Sequence, residues 1–362
     1  MKDISQIDKN FSPDYIKLDK NDLKEYVVPN DKMDLYGVEY KKREKAFMRL
    51  PLSVAKKVSP GVSSLCYHTS GGRLRFRSNA KVMRIEAKSK GFPLMPHMAL
   101  SGNAGFTLMQ ELENGKERHL YTFQRSYLKR KEKEFSFDFT LSGEMAEYTL
   151  YFPLYNDVRE LRIYANKDAV VENGKKYEDV LPILYYGSSI TQGGCASRSD
   201  TSYQAIISKW TNVDYINLGF SGCAKGEDAM IEHLASIPCS IFICDYDHNA
   251  PTVEHLKNTH YKLYSTFRKA HPLTPVIFAS RPSYSKCVPD ALERKKVILS
   301  TVRKAKRAGD KNVYFVDGFK MYPSEVHEAC AVDGTHPTDL GFYFMAKAFY
   351  KPISKLLKEI IK

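Results

Sequence analysis

The first half of the chain is written in period two. Arg73-Leu74-Arg75-Phe76-Arg77 alternates polar and apolar residues, and Lys133 to Leu141 does so more cleanly. There Phe135, Phe137, Phe139 and Leu141 share one face, with Ser136, Asp138 and Thr140 on the other. Tyr148 to Leu154 repeats the pattern with Leu150, Phe152 and Leu154. Such alternation predicts strands with one buried face. Gly71-Gly72, Ser101-Gly102-Asn103, Asn114-Gly115 and Ser142-Gly143 supply turns between them. Short strands with turns at these spacings predict an antiparallel, jelly-roll-like β-sandwich.

The pattern then changes. Asn166 to Asp179 is polar around Glu172-Asn173-Gly174-Lys175-Lys176 and reads as a linker. Beyond it, short apolar runs at Ile183–Tyr186, Tyr215–Leu218, Ser240–Cys244, Val276–Ala279 and Val313–Val316 read as buried strands. Thr252 to Ala270 and Asp290 to Ala308 have helical length, with Pro289 suited to the first turn of the second. A last helix runs from about Thr338 towards Ile361, with Pro352 expected to kink or break it. Strand–helix alternation predicts a five-stranded parallel sheet covered on both faces, a flavodoxin-like α/β/α layering. The expected division is therefore a sandwich over residues 1–175 and an α/β unit over 176–362. In open α/β sheets ligands bind beyond the carboxyl ends of the strands. Ser189, Gly222, Asn249 and Arg281 all follow predicted strands there.

Bulk composition changes this picture little. The net charge of +13 could mark a nucleic-acid binder. However, no zinc-finger spacing, glycine-and-arginine tract or RNA-binding aromatic motif accompanies it, so it reads as a solvated Lys-rich surface, with no nucleic-acid partner expected. The start, Met1-Lys2-Asp3-Ile4-Ser5, lacks the apolar segment of a secretory leader, and no apolar run is long enough to span a bilayer. The seven cysteines show no paired metal spacing. Reduced thiols in a soluble cytoplasmic protein, with no membrane contact, are the expectation.

Two segments carry chemistry. Tyr185-Tyr186-Gly187-Ser188-Ser189-Ile190-Thr191-Gln192-Gly193-Gly194 leaves a buried strand through a tight turn rich in hydroxyls and glycine. Far along the chain, Asp333-Gly334-Thr335-His336-Pro337 sets a carboxylate and an imidazole three residues apart. Serine, histidine and aspartate are the parts of a hydroxyl nucleophile activated by an imidazole. Two further turns follow predicted strands: Asn217-Leu218-Gly219-Phe220-Ser221-Gly222 and Asp245-Tyr246-Asp247-His248-Asn249. These four blocks, in this order, resemble the SGNH (GDSL-type) hydrolase superfamily over roughly residues 181–358. Asp34-Leu35-Tyr36 and Met95-Pro96-His97-Met98 resemble the β-sandwich that leads the subgroup named for its GxDLY motif, although Lys32 stands where that motif has glycine.

The resemblance implies roles by position. Ser189 would be the nucleophile, preceded by Ser188 where the GDSL pattern has Asp. His336 would be the general base and Asp333 would orient it. The amides of Ser189 and Gly222 and the side chain of Asn249 would form the oxyanion hole. The physics asks for these types. A serine hydroxyl is a poor nucleophile until an imidazole takes its proton, and the imidazole needs a carboxylate on its other nitrogen. Each preorganised oxyanion donor lowers the barrier by about 3–4 kcal/mol. Arg281 and His248 are candidate substrate contacts. Cys195 reads as an inert buried thiol, and His97 either as a core histidine of the sandwich or as a residue that reaches the active site across the domain interface. Gly219-Phe220-Ser221-Gly222-Cys223 fails as an α/β-hydrolase nucleophile elbow because Cys223 replaces the final glycine.

The expected activity is hydrolysis of short acyl esters through an acyl-enzyme. By resemblance these are O-acetyl groups on a small-molecule or oligosaccharide substrate. No metal or organic cofactor is expected. A lipase or thioesterase acting on longer acyl chains, and a non-catalytic carbohydrate-binding protein on the same scaffold, are the alternatives.

Overall fold

The computed structural model describes residues 16–125, 129, 131–282 and 289–361; Met1 to Ser5 and Cys287 lie outside the described residues. The first half is a sandwich of two antiparallel sheets. One has the strand order Leu23–Val28, Glu160–Asn166, Val82–Lys88, Glu134–Thr140. The other runs Val171–Asn173, Arg73–Ser78, Ala146–Tyr151, Phe106–Glu111, Glu117–Phe123, with Asp34–Tyr36 also paired to Arg73–Ser78. Alternation becomes packing in the expected way. Phe135, Phe137 and Phe139 stand opposite Ala87, Ile85 and Met83, and all six face the core between the sheets.

Three local expectations for this half give way. The polar stretch Asn166 to Asp179 is not a free linker, because Val171–Asn173 adds an edge strand to Arg73–Ser78. Only Val171 of that strand is buried, so its sequence shows no alternation to read. Ser101-Gly102-Asn103 belongs to a single helical turn, Leu100–Asn103. Two short helices, Leu52–Val58 and Pro60–Leu65, interrupt the β-rich half. They bury Ala55 and Val62 against the parallel sheet rather than inside the sandwich. Ser59 divides them, its hydroxyl accepting from the amide of Val62 at 3.1 Å ahead of a proline-started turn.

The second half is an α/β/α layer. Its five parallel strands are Ile183–Gly187, Tyr215–Gly219, Ile241–Asp245, Val276–Ala279 and Val313–Val316. The second of these lies outside the first, so the spatial order is 2-1-3-4-5 and the switch point falls at the first strand. Alternate residues serve opposite layers. Leu184, Tyr186, Phe242, Cys244 and Phe278 face the helices Asp228–Ala235, Val253–Ala270 and Ala291–Arg307. Ile183, Tyr185, Ile241, Ile243 and Ile277 face Tyr203–Thr211 and Asp339–Ile360. Pro289 precedes the Ala291–Arg307 helix instead of entering its first turn. The last helix runs unbroken through Pro352. Phe349, Ile353, Leu356 and Leu357 are buried together across the proline, and that burial carries the helix past the missing hydrogen bond.

The two halves are joined by buried arginines of the first half. Arg73 donates to Asp214 and lies 3.9 Å from the ring centroid of Tyr215. Arg49 has no carboxylate partner among the described residues. It donates instead to four backbone carbonyls: Asn217 at 3.0 Å, Gly219 at 2.7 Å, Leu65 at 2.9 Å and His68 at 2.5 Å. Its guanidinium stacks over Phe220 at 4.8 Å, and burial lowers its pKa to about 10. Arg49→Met should therefore strip four carbonyls of their donor at once and lower unfolding free energy by about 3 kcal/mol or more. Arg49→Lys should recover little, since one ammonium cannot span that fork of acceptors. Urea midpoints of the three proteins check this; a fully stable Arg49→Lys protein would refute it.

Candidate active site

The first parallel strand ends at Gly187, and the chain turns at once into a one-turn helix, Ser189–Gln192. Ser188 caps it, its hydroxyl accepting from the amide of Ile190 at 3.2 Å. That is a job an aspartate could also do, which accounts for serine at this position. The turn tolerates no bulk, because a β-carbon on Gly187 would run into Asp245 and Thr191. Ser189 is thereby held at the mouth of the sheet with its hydroxyl half-exposed.

Ser189 Oγ lies 2.9 Å from Nε2 of His336. His336 Nδ1 lies 2.8 Å from Oδ2 of Asp333. An ionised carboxylate only accepts, so the proton sits on Nδ1 and Nε2 is left to receive the serine proton. The other oxygen of Asp333 accepts from the backbone amides of Thr335 at 3.0 Å and His336 at 2.8 Å, an Asx turn that closes over Gly334. Partial burial opposes ionisation of Asp333, but those amides and the imidazole outweigh it and hold its pKa down to about 2. The loop is clipped at its base, where Val332 N donates to His336 O at 2.8 Å. Thr338 then starts the final helix.

The turn after the second strand is fastened to the serine helix. Phe220 N donates to Gly187 O at 2.9 Å and Ser221 N to Gln192 Oε1 at 3.0 Å. Asn217 Nδ2 donates to Thr191 O at 2.7 Å, and its Oδ1 accepts from Gly219 N at 2.9 Å. Gly222 stands at φ +68, in the left-handed region, with open space where a β-carbon would be. Its amide and that of Ser189 donate to no acceptor among the described residues. Asn249 Nδ2 donates one hydrogen to Phe220 O at 2.9 Å. A primary amide has two, so one remains for an incoming oxygen.

The Ser189, His336, Asp333, Gly222 and Asn249 expected together from sequence thus lie on one end of the molecule. The candidate substrate contacts stand differently. Arg281 is buried, its amide donating to Asp247 Oδ2 at 3.2 Å. Its Nε has no partner among the described residues. His248 Nε2 is also buried without one. Burial, then the neighbouring positive charge of Arg281, hold His248 neutral. Of its two expected placements, His97 takes the one at the site. It is exposed, not a core histidine, and its ring centroid is 5.4 Å from that of His336, because the Met95–Ala99 loop reaches over the site. Cys195 is buried and its thiol is pushed up to about 12, first by burial and then by Asp333.

Sequence reading missed the supports: Arg49, Gln192, Asn217 and Asp245. Asn217 and Asp245 did leave a signal, as polar residues inside or ending apolar strands, where each needs a buried partner.

Residues 181–354 match the model of the GDSL-like lipase/acylhydrolase family. Residues 25–171 match that of the GxDLY domain, the N-terminus of SGNH-hydrolase-type esterases. The chain belongs to the SGNH hydrolases. A candidate GDSL-like lipase from Bacteroides ovatus superposes with TM-score 0.83 at 26% identity, covering 93% of this chain and 98% of that one. The salicylyl-acyltransferase SsfX3 of a tetracycline biosynthetic pathway gives 0.76 at 17%, covering 92% and 97%. An active-site mutant of a family two carbohydrate esterase from Clostridium thermocellum gives 0.64 at 13%, covering 91% and 99%. At those two identities the likeness concerns the fold. No curated protein matches the sequence significantly.

Beneath the serine helix of this SGNH hydrolase, Thr191 Oγ1 donates to the buried carboxyl of Asp245. Burial raises that carboxyl to about 8, only partly offset by the Thr191 bond. Unfolded, an aspartate ionises near pH ~4. The folded protein therefore binds the extra proton between about pH 4 and 8, and stability falls as pH rises through that window. Asp245→Asn keeps the acceptor and cannot ionise. Its stability relative to wild type should climb from pH 5 to pH 8 in urea titrations; parallel profiles would show that Asp245 is already charged in the fold.

Proposed function

We propose that this SGNH hydrolase is a serine esterase that removes short acyl groups, foremost O-acetyl, from a carbohydrate. The observation that carries the reading is the continuous chain from Ser189 Oγ through both nitrogens of His336 to Asp333. It lies beside the uncommitted amides of Ser189 and Gly222. In the proposed reaction Ser189 Oγ attacks the ester carbonyl while His336 Nε2 takes its proton. The negative oxygen of the tetrahedral intermediate is received by the amides of Ser189 and Gly222 and by the second hydrogen of Asn249. His336 returns the proton to the leaving alcohol. Water, deprotonated by the same nitrogen, then releases the acid and restores the serine.

The acetyl and carbohydrate parts rest on kinship: the family resemblance in sequence and the shared fold of a family two carbohydrate esterase. The chain length of the preferred acyl group separates this reading from a lipase or thioesterase. Rates on p-nitrophenyl esters should fall steadily from acetate to laurate, and a clear preference for octanoate or longer would overturn the acetyl assignment.

The residues are tested directly. A fluorophosphonate should add to the peptide containing Ser189, and Ser189→Ala should abolish both labelling and turnover without moving the melting temperature. Asp333→Asn leaves the imidazole in the wrong tautomer and should lower kcat by on the order of 10⁴-fold. Asn249→Ala should lower kcat by about 10²–10³-fold. Sugar binding by a wild type that turns over no ester would instead favour a non-catalytic binding protein.

A further inference from the structure

Three potential metal ligands from distant parts of the sequence meet at the site: His97, Cys195 and His336, whose ligand atoms all lie within 4.8 Å of one another. Each is presented by a separate device. His336 is held by Asp333 on Nδ1, which leaves Nε2, and a carboxylate behind a histidine is the usual outer support of a metal-bound imidazole. Cys195 is one of three non-glycine residues at positive φ among the described residues, at +73, a conformation that costs a β-carbon-bearing residue on the order of 1 kcal/mol. Its Sγ donates to the carbonyl of His97 at 3.2 Å, which ties thiol and histidine loop together. The ring of His97 is exposed and makes no hydrogen bond among the described residues, so both its nitrogens are uncommitted.

We infer that His97, Cys195 and His336 form a binding site for a soft divalent cation of the zinc type, and that occupation of the site switches the esterase off. Two imidazoles and a thiolate are a zinc-type donor set, unsuited to magnesium or calcium. Tetrahedral zinc with bonds of about 2.0–2.3 Å holds its ligand atoms roughly 3.5 Å apart. The three groups therefore need to close by about 1 Å, and His97, on an exposed loop, is the one free to move. The thiol proton passes to solvent as sulfur binds the metal. Ser189 Oγ, 2.9 Å from His336 Nε2, is placed for the fourth position, which water could equally fill. Metal on Nε2 occupies the lone pair that would otherwise receive the serine proton, so inhibition follows without unfolding and reverses with a chelator.

The inhibitory half rests on the proposed role of His336; the binding half does not. The test treats the full chain with a chelator, removes it, and titrates Zn²⁺ against p-nitrophenyl acetate hydrolysis. Co²⁺ binding is followed separately by its sulfur-to-metal charge-transfer absorption. Half-inhibition of wild type is expected at micromolar Zn²⁺, with no effect of Mg²⁺ at a thousandfold higher concentration. Cys195→Ser and His97→Gln, each compared with its own metal-free rate, should raise the half-inhibitory concentration by on the order of 100-fold. Ser189→Ala, which turns over nothing, should still give the Co²⁺ band, and Cys195→Ser should lose it. Inhibition that persists in both Cys195→Ser and His97→Gln, or the lack of a Co²⁺ band in wild type and Ser189→Ala, would overturn the site. A Co²⁺ band without inhibition of an active wild type would overturn the switch. An enzyme with no esterase activity at all would leave the band as the deciding measurement, and would count against the function instead.

Discussion

A guanidinium without a counter-ion organises this molecule. Burying a charge is costly unless every donor finds an acceptor. Arg49 meets that condition only where carbonyls of the second parallel strand, at Asn217 and Gly219, and those of Leu65 and His68 in the first half all point at it. The position of the sandwich relative to the sheet is thus tied to the path of the backbone entering Phe220-Ser221-Gly222. Two of the three donors proposed for the oxyanion hole depend on that path: Gly222 sits on it, and Asn249 is anchored to the carbonyl of Phe220. The interface between the two halves and the electrostatics of the site are one arrangement.

The same economy appears below the nucleophile. An ionised Asp245 under the serine helix would place a negative charge near the proposed seat of a second one, the oxyanion. Burial keeps the carboxyl protonated through neutral pH, so it supports Thr191 as a neutral hydrogen-bonding group. His68 shows the same logic with opposite sign. Burial, then the neighbouring Arg49 charge, lowers it to about 4, and its Nδ1 can accept from Gln192 Nε2 at 3.1 Å. Gln192 in turn receives Ser221 N. Among the carboxyl and imidazole groups around the serine helix, Asp245 and His68 position as neutral groups, while Asp333, which lies at the rim and partly in water, is ionised.

How much of this the sequence carried depends on the kind of interaction. The five parallel strands were legible because each is a short apolar run, the inner ones buried on both faces, and the Ser189, Gly222, Asn249 and His336 turns were legible because they follow or close those runs. The Leu52–Val58 and Pro60–Leu65 helices were not, since seven and six residues are too few for a 3.6-residue period to declare itself. Nor was the edge strand Val171–Asn173, whose single buried side chain gives no alternation. Arg49 was illegible for a different reason: its partners are main-chain carbonyls, which every residue has, so no pairing of side-chain types announces it. His97 admitted two placements because an exposed loop and a core strand can both present Met-Pro-His-Met.

The placement of His97 shows what the sandwich does for the site. Met95 to Ala99 belongs to the first half of the chain, yet it brings His97 alongside His336, while Gly102 packs so tightly that a β-carbon would run into Ala196. Ser101 Oγ donates to Ser197 O at 2.6 Å and Ser199 Oγ to Gly105 O at 2.9 Å, stitching that loop to the segment after the serine helix. Tyr155, also from the first half, donates to the carbonyl of Ser189 itself at 2.9 Å. A free SGNH sheet would have to hold these turns with its own loops. Here the serine and the glycine turn are each braced by a residue of the first half, Tyr155 and Arg49, so a change in how the sandwich docks would reach the reacting groups directly.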